Sequence, residues 1–247
     1  MPHVFSCTSI TKNYDNIPVV EDISLELPPG GFISLLGHSG TGKTTLFNVL
    51  SGVDKPDGGK VFLEDEDITG VSGKVGYMLQ KDLLLEYRTV LDNVILPLLI
   101  RGEKKKSARK KTAEFFPVFG LAGYEKKYPY QLSGGMRQRA ALLRTCMLHN
   151  SVILLDEPFS ALDAITRRKM HAWYSEITEK MNFSTLFITH DVEEALALSD
   201  TIYIMNGKPG RITHKIEVNP SRPRDHNFSV SREFAQQKRV ILEAIGM

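Results

Sequence analysis

This 247-residue sequence predicts an α/β fold with a largely parallel central sheet. Three observations carry that prediction. Four short apolar runs, at residues 33–36, 75–79, 152–155 and 185–189, have the unbroken hydrophobicity of parallel strands buried on both faces. Each is followed by polar or glycine-bearing residues, as expected where ligands gather beyond the carboxyl ends of strands. Between residues 81 and 144 such runs vanish and helical patterns replace them, which reads as a helical unit inserted into the sheet-based core.

The remaining elements follow in chain order. The first thirty residues alternate in the manner of an N-terminal antiparallel β unit: Ile23, Leu25 and Leu27 face one way and Asp22, Ser24 and Glu26 the other. Pro28-Pro29-Gly30-Gly31 then makes a turn. The basic stretch 101–111 reads as a solvated helix face. Residues 201–205 and 211–218, joined through Asn206-Gly207-Lys208-Pro209-Gly210, form a terminal hairpin. From Pro220 a Pro/Arg-rich linker leads to a last helix over 231–245. The expected division is a core of 1–80 and 145–218, a helical unit of 81–144 and a tail of 219–247.

Composition narrows the function classes. Lys and Arg number 31 against 29 Asp and Glu, a formal charge of +2, so nothing global argues for nucleic acid as a partner. The two cysteines, Cys7 and Cys146, have no metal or redox spacing and suit a reducing compartment. Met1-Pro2-His3-Val4-Phe5 lacks a signal-peptide layout. The greasy stretch 90–100 contains Asp92, Asn93 and Pro97 and is too short to span a bilayer. Any role at a membrane is therefore expected to run through a partner.

Gly37-His38-Ser39-Gly40-Thr41-Gly42-Lys43-Thr44, followed by Thr45, matches the G-x-x-x-x-G-K-[ST] phosphate loop. An apolar strand precedes it and a helical pattern follows, so backbone N–H groups and a helix N-terminus converge on one anion site in a P-loop NTPase core. Lys43 would reach the β- and γ-phosphates of a nucleoside triphosphate, and the Thr44 hydroxyl would ligate Mg²⁺. A second motif, the apolar run 151–155 ending in Asp156-Glu157-Pro158, puts two carboxylates where the loop opens. Asp156 would hold Mg²⁺ through water, leaving Glu157 as general base for an attacking water. In a third, Tyr130-Gln131-Leu132-Ser133-Gly134-Gly135-Met136-Arg137-Gln138-Arg139, a serine N-cap and two bare glycines head a helix.

With these residues the chain resembles the ABC-transporter ATPases, whose signature sequence is Leu-Ser-Gly-Gly-Gln; Met136 replaces the glutamine. The resemblance covers residues 4–210 and implies that Ser133, Gly134 and Gly135 of one subunit cover the γ-phosphate bound to the other. It further implies that Gln80 senses Mg²⁺ and the attacking water, and that His190 contacts the γ-phosphate and orients Glu157. Tyr14 would stack on adenine. Ser160-Ala161-Leu162-Asp163 would form the loop through which two subunits monitor each other. The implied partners are a second copy and membrane permease subunits, with an extracytoplasmic solute-binding protein acting indirectly. The implied place is peripheral, on the cytoplasmic face of the membrane. The permease is expected to dock around residues 80–93, including the run Leu83-Leu84-Leu85, read as exposed. Residues 83–94, Arg222-Pro223-Arg224 and Ser231-Arg232-Glu233-Phe234 are similar in style to importers of nitrate, sulfonate and taurine, and importers of heterocyclic vitamin precursors share that style. Two other readings are a soluble ATPase acting on nucleic acid, ribosomes or iron–sulfur assembly and a nucleotide-gated scaffold without turnover. The presence of both Glu157 and His190 favours turnover.

Overall fold

Residues 5–27 become two long antiparallel strands, β1 (Phe5–Tyr14) and β2 (Ile17–Leu27), because their apolar side chains recur every second position. Ile23, Leu25 and Leu27 are buried, while Asp22, Ser24 and Glu26 are exposed. After the turn, β3 (Phe32–Leu36) leads through the glycine-rich loop into α1 (Lys43–Leu50). β4 (Gly58–Leu63) and β5 (Glu66–Asp67) complete a four-stranded antiparallel sheet of order β2-β1-β4-β5. The computed structural model describes residues 4–148, 150–160, 162–220, 222, 224 and 227–246. Residues 1–3, Ala161 and Pro223, on which parts of the sequence reading fall, lie outside the described residues.

The second sheet begins with β6 (Gly76–Met78), three residues long where the sequence predicts five. Leu79 is already exposed at its end. Helices α2 (Val90–Val94), α3 (Leu96–Ile100), α4 (Lys105–Ala113), α5 (Phe115–Val118) and α6 (Gly134–Cys146) follow. β7 (Val152–Asp156), α7 (Ala164–Met181), β8 (Ser184–Thr189) and α8 (Val192–Leu198) alternate next. The hairpin of β9 (Thr201–Asn206) and β10 (Arg211–Glu217) precedes the final α9 (Arg232–Ala244). The sheet order is β10-β9-β3-β8-β7-β6, parallel throughout except for the antiparallel pair β9–β10.

Strand alternation divides the interior. Ile33, Leu35, Val152, Leu154, Leu186 and Ile188 face α1 and the antiparallel sheet. Phe32, Ile153, Leu155 and Phe187 face the helical unit and α7. Phe187 belongs to an aromatic group, with ring centroids 5.8 Å from Phe32 and 5.9 Å from Phe159. In α4 the basic residues stay outside while Ala108 and Thr112 are buried, so the helix presents a solvated face. One expectation needs correcting. Of the run Leu83-Leu84-Leu85 only Leu83 is exposed; Leu84 is buried in the helical core.

The tail is strapped to the core. Arg222 pairs with Asp200 at 2.7 Å and stacks over Phe32 at 5.3 Å. Arg224 donates to the carbonyls of Ala197 and Ser199, satisfying acceptors at the end of α8, and burial lowers its pKa to about 10.

Truncating Phe187 to Ala should cost about 3–5 kcal/mol, read by chemical denaturation, because Phe32 and Phe159 both lose a ring partner and a cavity opens between them. A loss below about 1 kcal/mol would mean that the aromatic group repacks freely. Burial also pushes the Cys7 thiol up to about 12 and raises that of Cys146. Neither should react with an alkylating reagent near pH 8 until the chain unfolds; rapid labelling of the folded protein would contradict the burial.

Candidate nucleotide-binding and hydrolysis site

Four adjacent parallel strands, β3, β8, β7 and β6, end side by side, and each delivers one functional segment at its carboxyl end. β3 delivers the 37–45 loop, β8 delivers His190, β7 delivers Asp156 and Glu157, and β6 delivers Gln80. Residues separated by more than a hundred positions meet because the strand order brings their ends together.

The loop is shaped by close backbone packing. A side chain at Gly37 would overlap the Met205 carbonyl, and one at Gly210 would overlap the Thr41 carbonyl. The β9–β10 turn therefore backs the loop directly. Gly42 caps α1 with φ +90°, and no side chain caps the helix, so its first N–H groups stay free for an anion. Lys43 is buried and its Nζ donates to the carbonyls of Gly37 and His38, both at 2.8 Å. Burial lowers its pKa, while Glu157 and Asp156 oppose that shift. His38, Ser39 and Gly40 are exposed at the loop's crest, and Thr41 hydroxyl donates back to His38 O.

Thr44 hydroxyl donates to Asp156 Oδ2 at 2.9 Å. Asp156 is 4% exposed, and desolvation raises its pKa above the ordinary carboxylate range despite the Thr44 bond. Two hard oxygen donors next to the loop fit Mg²⁺, which takes few protein ligands and keeps waters and phosphate oxygens. Among the described residues no group of three or more His, Cys, Asp or Glu side chains forms a closed metal cage.

Glu157 follows with φ +43°, a left-handed conformation uncommon for a non-glycine residue. Its N–H donates to Ile188 O across the β7–β8 pair at 3.1 Å. Its carboxylate lies 3.1 Å from His190 Nδ1 and 3.4 Å from Gln80 Nε2. Gln80 also reaches Ser160 Oγ at 3.4 Å. The structure thus brings Glu157, His190 and Gln80 together, with Lys43, Thr44 and Asp156 on the adjoining strand ends. Tyr14 is 43% exposed; its hydroxyl donates to Asp54 at 2.7 Å and interacts with Thr45 at the start of α1.

The signature residues stand elsewhere. Ser133 caps α6, its Oγ accepting from Met136 N at 3.3 Å. Gly134 and Gly135 approach Leu162 and Thr166, where an added Cβ would sit at 3.5 and 3.3 Å. Asp163 caps α7, accepting from the N–H groups of Ile165 and Thr166. Among the described residues none of Ser133, Gly134, Gly135 or Asp163 hydrogen-bonds to the 37–45 loop of the same chain.

Several supporting residues escaped the sequence reading. Buried Asn93 holds the 85–89 backbone, accepting from Leu85 N and donating to the carbonyls of Leu85, Arg88 and Thr89. Arg137 grips Asp82 at 2.9 Å, and Arg144 donates to the Asp82 and Leu83 carbonyls. A lone asparagine within an apolar stretch is a usable signal; the arginines look like ordinary helix-surface residues.

Because its raised pKa makes ionised Asp156 a cost of folding, Asp156→Asn should raise the melting temperature of the nucleotide-free chain at neutral pH. The folded-state pKa lies above the unfolded one, so that gain should disappear as pH falls below about 4, where Asp156 is neutral in both states. A gain that persisted at low pH would contradict this origin.

The same arrangement recurs in known proteins. Residues 20–160 match the family described as ABC transporter. The chain is 43% identical over 221 residues to the formylaminopyrimidine import ATP-binding protein ThiZ of Halalkalibacterium halodurans, covering 90% of this chain and 86% of that protein. It is 38% identical over 233 residues to the aliphatic sulfonates import ATP-binding protein SsuB of Bacillus thuringiensis subsp. konkukian, covering 94% and 90%. A dimeric post-hydrolysis structure of the ATP-binding cassette MJ0796 bound to ADP and Pi superposes with a TM-score of 0.75 at 27% identity, covering 88% of this chain and all of that one. The chain belongs to the ABC transporter ATP-binding family and is an ATPase of that family.

Proposed function

We propose that this chain energises an importer. Two copies close head to tail over two ATP molecules at the cytoplasmic face of the membrane, and that closure is passed to permease subunits. The cargo belongs to the sulfonate-like small anions or the heterocyclic vitamin precursors and is delivered by an extracytoplasmic solute-binding protein. Support for this cargo range comes from the two relatives named for formylaminopyrimidine and aliphatic sulfonate import. Among the described residues no helix is long and apolar enough to cross a membrane, in keeping with a separate permease.

The observation that carries the hydrolytic reading is the pairing of Glu157 with both His190 and Gln80 at the mouth of the phosphate loop. Glu157 is the general base, set to take a proton from a water in line with the γ-phosphate. His190 orients that carboxylate and reaches toward the γ-phosphate. Lys43 and the N–H groups of residues 40–44 stabilise charge on the phosphate oxygens. Thr44, Asp156 and Gln80 would hold Mg²⁺, which when bound offsets negative charge on the β- and γ-oxygens. Tyr14 offers its exposed ring to adenine.

Among the described residues, Ser133, Gly134 and Gly135 at the head of α6 make no hydrogen bond to the 37–45 loop of their own chain, which supports their use by a second copy in a twofold dimer. Triphosphate touches both halves only when they close, so its differential affinity drives closure, and loss of the γ-phosphate releases it. Asp163 and Ser160 would watch the opposing subunit across the same seam. Leu83 and the exposed ring of Tyr87 are the apolar part of the face offered to the permease.

Glu157→Gln should lower turnover by about 10²–10⁴-fold while leaving ATP binding intact, and ATP should then hold the variant as a dimer in size-exclusion chromatography. Unchanged turnover would remove Glu157 from its role, and a monomeric ATP-bound variant would remove the closure step.

A further inference from the structure

We infer that Glu194 is a positioning residue for His190, acting through a buried relay that ties the end of β8 to helix α7. The inference rests on the hydrolytic role proposed for Glu157 and His190. Glu194 lies in the first turn of α8 and is only 6% exposed. One carboxylate oxygen accepts the hydroxyl proton of Thr189, the residue before His190. The same Thr189 oxygen accepts the N–H of Asp191, the residue after it, at 3.0 Å. One chain neighbour of His190 is therefore bonded to the buried carboxylate directly and the other through the Thr189 hydroxyl, while the His190 side chain itself remains half exposed.

The other Glu194 oxygen lies 2.7 Å from His171 Nε2 on α7. The His171 ring packs against Phe159, 5.1 Å between centroids and two residues beyond Glu157. One turn earlier on α7, Arg167 reaches Asp191 at 3.4 Å and donates to the Leu162 carbonyl at 3.0 Å. Two cross-links thus join α7 to α8, and one of them grips the 160–163 loop. Glu157, Arg167, His190 and Glu194 also line one small cavity. A buried carboxylate and its partners are a poor source of stability, since burial costs much of what the pairing returns. Their use here is geometric: they hold the His190 backbone at a fixed distance from Glu157.

The test is a mutant cycle on the full-length chain, reading steady-state ATPase activity, KM for ATP and melting temperature. Glu194→Ala should lower kcat about tenfold with KM unchanged, because the phosphate loop that binds ATP is untouched. Glu194→Gln, which can still accept the Thr189 proton, should recover most of that loss. In a His190→Ala background neither change should matter further, since the residue being positioned is gone. Should Glu194→Ala fail to fold, Thr189→Val removes the linking hydroxyl and reads the same cycle. Losses that multiply with His190→Ala, a KM that rises in step with falling melting temperature, or an unaffected kcat would each overturn the inference. Glu157→Gln serves as the control: if it too left turnover intact, the hydrolytic reading itself would fall, and if it abolished turnover while Glu194→Ala did not, only the positioning role would.

Discussion

Strand β8 lies between β3 and β7, and the chemistry depends on that placement. Its parallel register against β7, with Asp156 opposite Ile188, sets His190 one step past the sheet edge, beside Glu157. The bond from Glu157 N to Ile188 O locks the step, and the left-handed backbone at Glu157 turns the carboxylate across toward the imidazole. On the other side, the register of β8 with β3 places the phosphate loop at the same level. A slip of one residue in either pairing would turn the proposed catalytic side chains to the wrong face.

Around this edge, the structure separates parts that hold from parts that act. The aromatic group of Phe32, Phe159, Tyr174 and Phe187 fills the layer beneath β7 and β8. The β9–β10 turn backs the loop through glycines at 37 and 210 that admit no side chain. Polar residues then crown the surface: Gln80 is exposed, and its loop is steadied by Arg137, Arg144 and Asn93 from the helical unit. The helical unit thereby meets the site's edge through these hydrogen bonds as well as through the apolar core it shares with β6, β7 and β8.

Much of this was legible in the residues. The burial of Ile23, Leu25 and Leu27 follows from two-residue alternation, and the four buried strands follow from unbroken apolar runs. The loop of residues 37–44 is legible because its chemistry demands residue types at fixed spacing. What could not be read was three-dimensional adjacency without local pattern. His171 and Glu194 read in the sequence as ordinary polar helix positions, and only the packing of α7 on α8 buries them together as partners. Leu84 shares its spelling with its neighbours Leu83 and Leu85, yet the turn at positive-φ Leu83 sends it inward. The three-residue β6 is shorter than its apolar run because pairing with β7 spans only Gly76 to Met78.

The Lys43 ammonium rests on two carbonyls of its own loop. Ligand capture is therefore an exchange of oxygen partners rather than the filling of a void. That exchange tempers the grip on spent nucleotide, because the lysine has somewhere to return. A motor that must let go on every cycle gains more from that reversibility than from the tightest embrace.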